Sequence, residues 1–523
     1  MIYYSCQYFN SELTFGEYRQ DNRTKLLRKR SYMKYKNPII KGFYPDPSVC
    51  AANGKYYMVC SSFQFFPGVP LFESSDLVNW KQIGHCLTRK SQLELDGARS
   101  SGGVYAPTIR FNDGRFYMVT TNTSTGENFY IFTDDIYGEW SEPIIIKQGG
   151  IDPSLLFDDG HAYFISNGAD DNGVEGVTQC EINIETGEKL SASKNIWCGS
   201  GGRYLESPHM YKIGGGYYLM AAEGGTEYGH MITYARSNSV WGPFEGYAHN
   251  PVLTNRNLGG YQIQGVGHGD LIQTRDGEWF IAHLGFRQID QWMPYHHLGR
   301  EVFLTPVHFD VDGWFTAGTN GTTRDEYEIK GDFTQIVNNV KTFGNTSPSI
   351  DWCYMRNPDF SNYELSGDSF ILHGTDKTLE DIASPTFIGI RQQDFCGEIC
   401  CDVSLDGGEA GITLFMDEQE HYDIALRKSD SGFEAVLKLN IGDIKHVQKA
   451  VPIRTNSAKL VVEMNNFFYK FIVCDGDKSF DLGIGQTKYL SSEVASGFTG
   501  VIIGLYAQGN NTAKFSDFKV EYK

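Results

Sequence analysis

Gly54-Lys55-Tyr56-Tyr57-Met58-Val59 is a glycine turn followed by a short strand led by aromatics, and the chain repeats this phrase four more times. The copies are Gly114-Arg115-Phe116-Tyr117-Met118-Val119, Gly160-His161-Ala162-Tyr163-Phe164-Ile165, Gly215-Gly216-Tyr217-Tyr218-Leu219-Met220 and Gly277-Glu278-Trp279-Phe280-Ile281-Ala282. The glycines are 60, 46, 55 and 62 residues apart. Self-similarity at this period in β-rich sequence is the signature of a propeller with one blade per repeat. A second apolar strand precedes each phrase. A third follows, then a Trp-bearing edge at Trp80, Trp140 and Trp241, which makes four short strands per repeat. The predicted fold is all-β: a five-bladed propeller, then a jelly-roll-like β-sandwich.

Working outward, one position of the frame changes its chemistry from copy to copy. It falls eight residues before the glycine in the first three repeats and nine before it in the last two, and reads Asp46, Ala106, Asp152, Glu206 and His268. First strands line the channel of a propeller, so three carboxyls and an imidazole are expected to meet at one axis. Asp46 lies between two prolines, in Tyr44-Pro45-Asp46-Pro47, and Asp152 precedes Pro153. Proline fixes φ and removes a ladder donor, which the opening of a strand tolerates and its interior does not. Glu206 has apolar and aromatic neighbours; partial burial would raise its pKa, as a general acid requires. A salt bridge to Arg203 is the plainer use of Glu206. Two carboxyls across a cleft are the equipment of glycoside hydrolysis, and a third nearby keeps one protonated by repulsion.

His268 is suited to bonding substrate, orienting a carboxylate or holding a water on an axial ion. No cofactor is required by this set, and a Ca²⁺ or other divalent ion near His268 is the metal alternative. Three acids from separate blades differ from the single flexible loop that Ca²⁺ prefers. Arg300, just after the fifth phrase, could hold a carboxylate ionised and grip a hydroxyl. Phe63, Phe66 and Tyr105 offer flat faces for sugar rings.

The domain reading is a tail at 1–32, a catalytic propeller at 33–320, a linker at 321–349 and a sandwich at 350–523. The tail is polar, with Met33 standing where the first repeat begins. A net charge of −19 repels nucleic acid and anionic membrane surfaces, and a neutral sugar fits it. No run of ~18 apolar residues is present to span a bilayer. The 11 cysteines are scattered without metal-site spacing, so a cytoplasmic location is expected. Assembly into a homo-oligomer is left open.

These blocks resemble glycoside hydrolase family 43, in its β-xylosidase and α-L-arabinofuranosidase branch. The resemblance rests on Asn37 to Ser48, Ser100-Ser101-Gly102-Gly103-Val104-Tyr105-Ala106-Pro107, Gly150 to Leu155, Glu206 to Lys212, Ala222 to Thr226 and His297-Leu298-Gly299-Arg300-Glu301. It implies a five-bladed propeller that hydrolyses with inversion: Asp46 the general base, Glu206 the general acid, and Asp152 the group that tunes and orients the acid. It also implies a C-terminal sandwich whose Gly497-Phe498-Thr499-Gly500 brings Phe498 to the pocket. The expected activity is exo-acting release of xylose from xylo-oligosaccharides, with arabinosylated oligosaccharides as the alternative substrate. Tyr105 stands where many xylosidases have Trp, which leaves the two sugars open. A sugar-binding propeller without catalysis would be expected to lack one of the three carboxylates, and all three are present.

Overall fold

The computed structural model describes residues 31–342, 350–366 and 369–523. Five four-stranded antiparallel sheets follow one another along the chain. Their first strands are Ser48–Ala52, Thr108–Asn112, Ile151–Asp158, Glu206–Ile213 and Ile263–Gln273. Each touches the first strand of the next blade, and the fifth touches the first, so the ring closes. The repeated phrase is the second strand of every blade, and its buried aromatics fill the layers between blades.

Each blade is made from contiguous chain, and flanking segments brace the ring from outside. Tyr32–Lys36 pairs with Glu326–Lys330 as a two-stranded ribbon beside blade 5. The Tyr35 hydroxyl donates to Leu304 O at 2.9 Å, and Asn37 Nδ2 donates to the same carbonyl at 3.0 Å. The stretch read as a linker therefore contains a strand that clasps the start of the fold, and Tyr32, assigned to the tail, lies within that clasp. The rest of the proposed tail, 1–30, is outside the described residues.

The second domain is two packed eight-stranded sheets. One has an unexpected edge: Phe65–Phe66, from the loop after blade 1's second strand, pairs with Cys353–Met355. The sheet thus runs into the propeller. Phe66 consequently belongs to this seam and not to a sugar-binding face, because its ring is buried in a core shared by both domains. That core joins Tyr57, Leu71 and Met118 of the propeller to Tyr354, Ile412 and Leu460 of the sandwich. A second cluster packs Phe43, Phe63 and Phe65 against Met355, Phe387 and Ile502.

Burial on this scale is the main stabilising force available to either partner. Ending the chain at Lys330 should leave the blade 1 and 2 side of the propeller apolar and exposed, and the fragment aggregated. Soluble yield and size-exclusion profile check this; a monodisperse, active fragment would overturn it.

Candidate active site

The axial residues enter the channel by a shared backbone device. In blade 3, Ile151 pairs with Asn167 and Ser154 with Ile165, so two residues bulge between the pairs. Asp152 in that bulge has φ 53°, the left-handed region, and Pro153 follows it. Asp46 (φ 56°) and His268 (φ 45°) adopt the same turn. A bulge with a left-handed residue re-aims side chains, so neighbours can both face the axis.

Blade 4 corrects the sequence phase. Glu206 pairs with Ala222 and His209 with Met220, and the left-handed residue between them is Ser207, at φ 56° and before Pro208. Ser207, not Glu206, is the counterpart of Asp152, and Glu206 is the counterpart of Ile151 and Tyr105. The axis therefore has two tiers. Asp46, Asp152 and His268 form a buried floor, and half-buried Glu206 stands one residue higher, beside Tyr105 and Ile151. The following proline was the available signal: it aligns Asp46, Ala106, Asp152 and Ser207. Counting eight residues back from Gly215, as in the first three repeats, also lands on Ser207; the count of nine that reached Glu206 belongs only to blade 5, whose turn between Gln273 and Trp279 is longer.

On the floor, Arg300 Nη1 donates to Asp46 Oδ1 at 2.9 Å and the Ser61 hydroxyl donates to Oδ2 at 2.5 Å. His268 Nδ1 lies 3.6 Å from Asp46 and 3.9 Å from Asp152. Asp152 accepts from the Ser207 amide at 3.1 Å. Burial alone would raise the Asp46 carboxyl, but Arg300, then His268 and Ser61, outweigh it and hold it below the ordinary aspartate range. Asp152 has no cation in contact. Burial, then the charges of Glu206 and Asp46, push it well above that range. Burial, then Asp46, raise Glu206 to about 7, with Arg300 opposing. Burial outweighs Asp46 at His268, which stays a neutral imidazole near pH 7. Arg203 does not neutralise Glu206, for its guanidinium pairs with Glu227.

These groups line a cavity of about 70 Å³ with Phe63, Tyr105, Ala106, Thr226, His230 and Phe498. It opens past Glu206, Tyr105 and Phe498 into an outer chamber of about 780 Å³. A larger hollow, about 1150 Å³, lies on blades 4 and 5 around Tyr218, Arg236 and Trp279, and contains none of these residues. Among the described residues no group of three or more His, Cys, Asp or Glu side chains converges as a cation site. Asp46 beside His268 is already paired with Arg300.

The sandwich supplies the rim. Phe498 stacks on Phe63 at 6.1 Å between ring centres and meets Tyr105 edge-on at 6.1 Å. Its amide donates to Ser101 Oγ at 2.8 Å, and Arg300 Nη2 donates to its carbonyl at 3.3 Å. The flanking glycines explain the motif. A Cβ on Gly497 would lie 2.5 Å from Ser101 Oγ, and one on Gly500 would lie 2.4 Å from Leu298 O. The strap is bolted down by Glu493, which accepts from Tyr228 OH at 2.8 Å, His296 Nδ1 at 2.8 Å and His296 N at 3.0 Å. Glu493, Thr226 (2.8 Å from Arg300 Nη1), Ser61 and His230 were not found from sequence. Thr226 ends one of the quoted blocks; Glu493 lies in the short helix Ser492–Ala495, whose partners Tyr228 and His296 are remote in the chain, and Ser61 and His230 sit in loops.

An ionised carboxyl, another that keeps its proton near neutrality, and aromatic faces around both serve cleavage at a sugar. The class is that of the propeller glycosidases. Within it, this chain belongs to glycosyl hydrolases family 43: residues 35–315 match that family, and 340–521 match the beta xylosidase C-terminal concanavalin A-like domain. A relative in Bacteroides ovatus, named non-reducing end alpha-L-arabinofuranosidase BoGH43B, is 37% identical over 504 residues, 92% of each chain. The xylosidase/arabinosidase of Butyrivibrio fibrisolvens is 34% identical, over 93% of this chain and 99% of that protein. A solved structure titled Bacteroides ovatus Xyloglucan PUL GH43B superposes with a TM-score of 0.88 at 36% identity, over 94% of this chain and 100% of that one.

Phe498 is 37% exposed, so it guards the rim and is not plugged into the pocket. Truncating it to Ala should forfeit only part of a ring's burial, on the order of 1–2 kcal/mol, or about a tenfold rise in KM. Glu493→Ala should reproduce that rise at unchanged melting temperature, because it frees the strap. Steady-state kinetics on aryl glycosides measure both; unchanged KM in the two variants would separate the strap from binding.

Proposed function

We propose that the protein is an exo-acting, inverting glycosidase that releases xylose from the non-reducing ends of xylo-oligosaccharides. The observation that carries this reading is the placing of Arg300 on Asp46, which holds that carboxyl ionised while burial raises Glu206. Arg300 keeps Asp46 ionised at the floor, ready to take a proton from water as that water attacks the anomeric carbon. Glu206, one tier up toward the outer chamber, retains a proton near neutrality for the departing glycosidic oxygen. Asp152 shares the acid's titration, so the pair releases its protons as a coupled unit. The inner cavity opens past Phe498 directly into the outer chamber, so a terminal sugar against the carboxyls would leave its leaving group outside.

A second reading is favoured by a specific observation: the 37% identical Bacteroides ovatus relative is named for α-L-arabinofuranoside, and Tyr105 leaves more room than Trp would. Tyr105 is held by its hydroxyl on Ser101 O at 3.0 Å, so its ring is fixed and not free to adjust. Assays on nitrophenyl β-D-xylopyranoside and α-L-arabinofuranoside distinguish the two. Proton NMR of the first-formed product tests stereochemistry: inversion gives α-xylose from a β-xyloside, and β-xylose would point to retention.

The pH profile follows from the same groups. kcat/KM should fall on the acid side only as Asp46 gains a proton, below the ordinary aspartate pKa. It should fall on the alkaline side near pH 7 as Glu206 loses one. Asp46→Asn should lower turnover by roughly a thousandfold or more on every substrate. Glu206→Gln should spare aryl glycosides with acidic phenols and abolish the alkaline limb; equal losses across leaving groups would remove Glu206 from the acid role.

A further inference from the structure

On the reading that a terminal sugar enters the inner cavity, we propose that His230 binds it, Nε2 of the imidazole accepting a hydrogen bond from one sugar hydroxyl. His230 lines that cavity and is otherwise buried, at 3% exposed. Its Nδ1 lies 3.3 Å from Gly265 O. A carbonyl oxygen can only accept, so Nδ1 carries the proton. Burial, then the charges of His268 and Arg300, push the ring down to about 3, so it is neutral near pH 7. Nε2 is then a bare lone pair. Among the described residues no donor reaches Nε2, and that atom is not sealed in the protein interior. The cavity is the space it meets.

The imidazole is held in place before any sugar arrives. Its residue's amide donates to Glu227 O at 3.0 Å, and its carbonyl accepts from Thr254 Oγ1 at 2.7 Å. The ring packs on Gly267, where a Cβ would lie 2.2 Å from its Nδ1 and its Cε1. Gly265, whose carbonyl sets the tautomer, turns at φ 63°, in the left-handed region, and a Cβ there would lie 2.1 Å from the ring of Phe286. Both glycines of Gly265-Val266-Gly267-His268 thus build the seat of His230.

The other polar groups of the cavity leave this role open. Arg300 can only donate. Thr226 accepts from Arg300 Nη1 at 2.8 Å, so its own proton is free to donate. Asp46 already accepts from Arg300 and Ser61. A sugar hydroxyl both accepts and donates, and one that accepts from Arg300 or Thr226 in a site closed to water needs an acceptor for its own proton. His230 Nε2 is an acceptor with no competing partner.

The test compares the full-length wild type with His230→Phe, which keeps a flat ring and removes the acceptor, and with His230→Gln, which restores an acceptor. The substrates are the aryl glycoside that the wild type cleaves and its monodeoxy and monodeoxyfluoro versions, which remove a hydroxyl or only its proton, one position at a time. Fluorine's inductive effect slows wild type and variant alike and cancels in their ratio. On the parent glycoside the wild type should exceed His230→Phe about tenfold in kcat/KM, with part of the loss restored in His230→Gln. At one hydroxyl position that ratio should collapse to about one with both the deoxy and the fluoro sugar. Equal rates on the parent, or a ratio that persists for every analogue, overturn the proposal, since His230 would then only support Gly267 and His268. So does a collapse with the deoxy sugar alone, which would mean that the hydroxyl accepts from His230. Wild-type cleavage of the parent glycoside tests the proposed function separately; a wild type that cleaves neither the xyloside nor the arabinofuranoside overturns both. If His230→Phe does not fold, wild-type crystals holding the released sugar decide: a hydroxyl oxygen within hydrogen-bond distance of Nε2 supports the role, and its absence there refutes it.

Discussion

Closure of the five-bladed ring depends on one buried carboxylate. Asp270, on the first strand of blade 5, accepts from Ser48 Oγ and Val49 N of blade 1, from Arg110 of blade 2 and from Tyr211 of blade 4. Blade 3 joins through Thr108 Oγ1 to Pro153 O and Ser154 Oγ to Pro208 O. Every junction around the axis thus carries a side-chain hydrogen bond. A buried charge is tolerable only when paired and fully bonded, and breaking such a pair costs more than it contributes net. Asp270 therefore ties three other blades to blade 5, and a ring closed in another order would leave it short of these partners. Its partner Arg110 also contacts His209, whose ring lies 6.1 Å from that of His268, so the plug of the channel supports the floor of the pocket.

Above the plug, position decides charge. Asp46 and Asp152 share a burial level and a backbone turn, yet one is pulled below its ordinary pKa and the other pushed above it. The difference is Arg300, which reaches Asp46 and also binds the carbonyl of Phe498. A single guanidinium thus ties the charge of Asp46 to the presence of the sandwich. In blade 4 the carboxyl stands one residue before the left-handed position, which lifts Glu206 toward the outer chamber and separates it from Asp46 by height as well as by blade.

How much of this was legible in the chain follows from the range of each interaction. The repeat was plain because glycine turns and aromatic strands are local devices, readable within ten residues. Asp46, Asp152, Arg300 and Tyr105 all reached the cavity they were expected to line. Glu206 reached it too, but from one residue before the frame position, which a count of eight from Gly215 and the proline after the bulge both assign to Ser207. Phe65–Phe66 could not be read as part of the sandwich, since a two-residue strand has no period. Glu493 and Thr226 owe their roles to contacts made by distant loops, which no local pattern records.

The pairing of Phe65–Phe66 with Cys353–Met355 has a temporal meaning. Nearly three hundred residues separate the two partners, so this edge is among the most non-local contacts in the molecule, and such contacts form late. Blade 1 emerges early in synthesis and must wait, its loop unpaired, until the first strands of the sandwich arrive. The same loop carries Phe63, on which Phe498 stacks. The wall of the pocket is therefore finished only when the far end of the chain returns to its beginning, and a refolding protein should regain strand content before it regains the ability to hold a sugar.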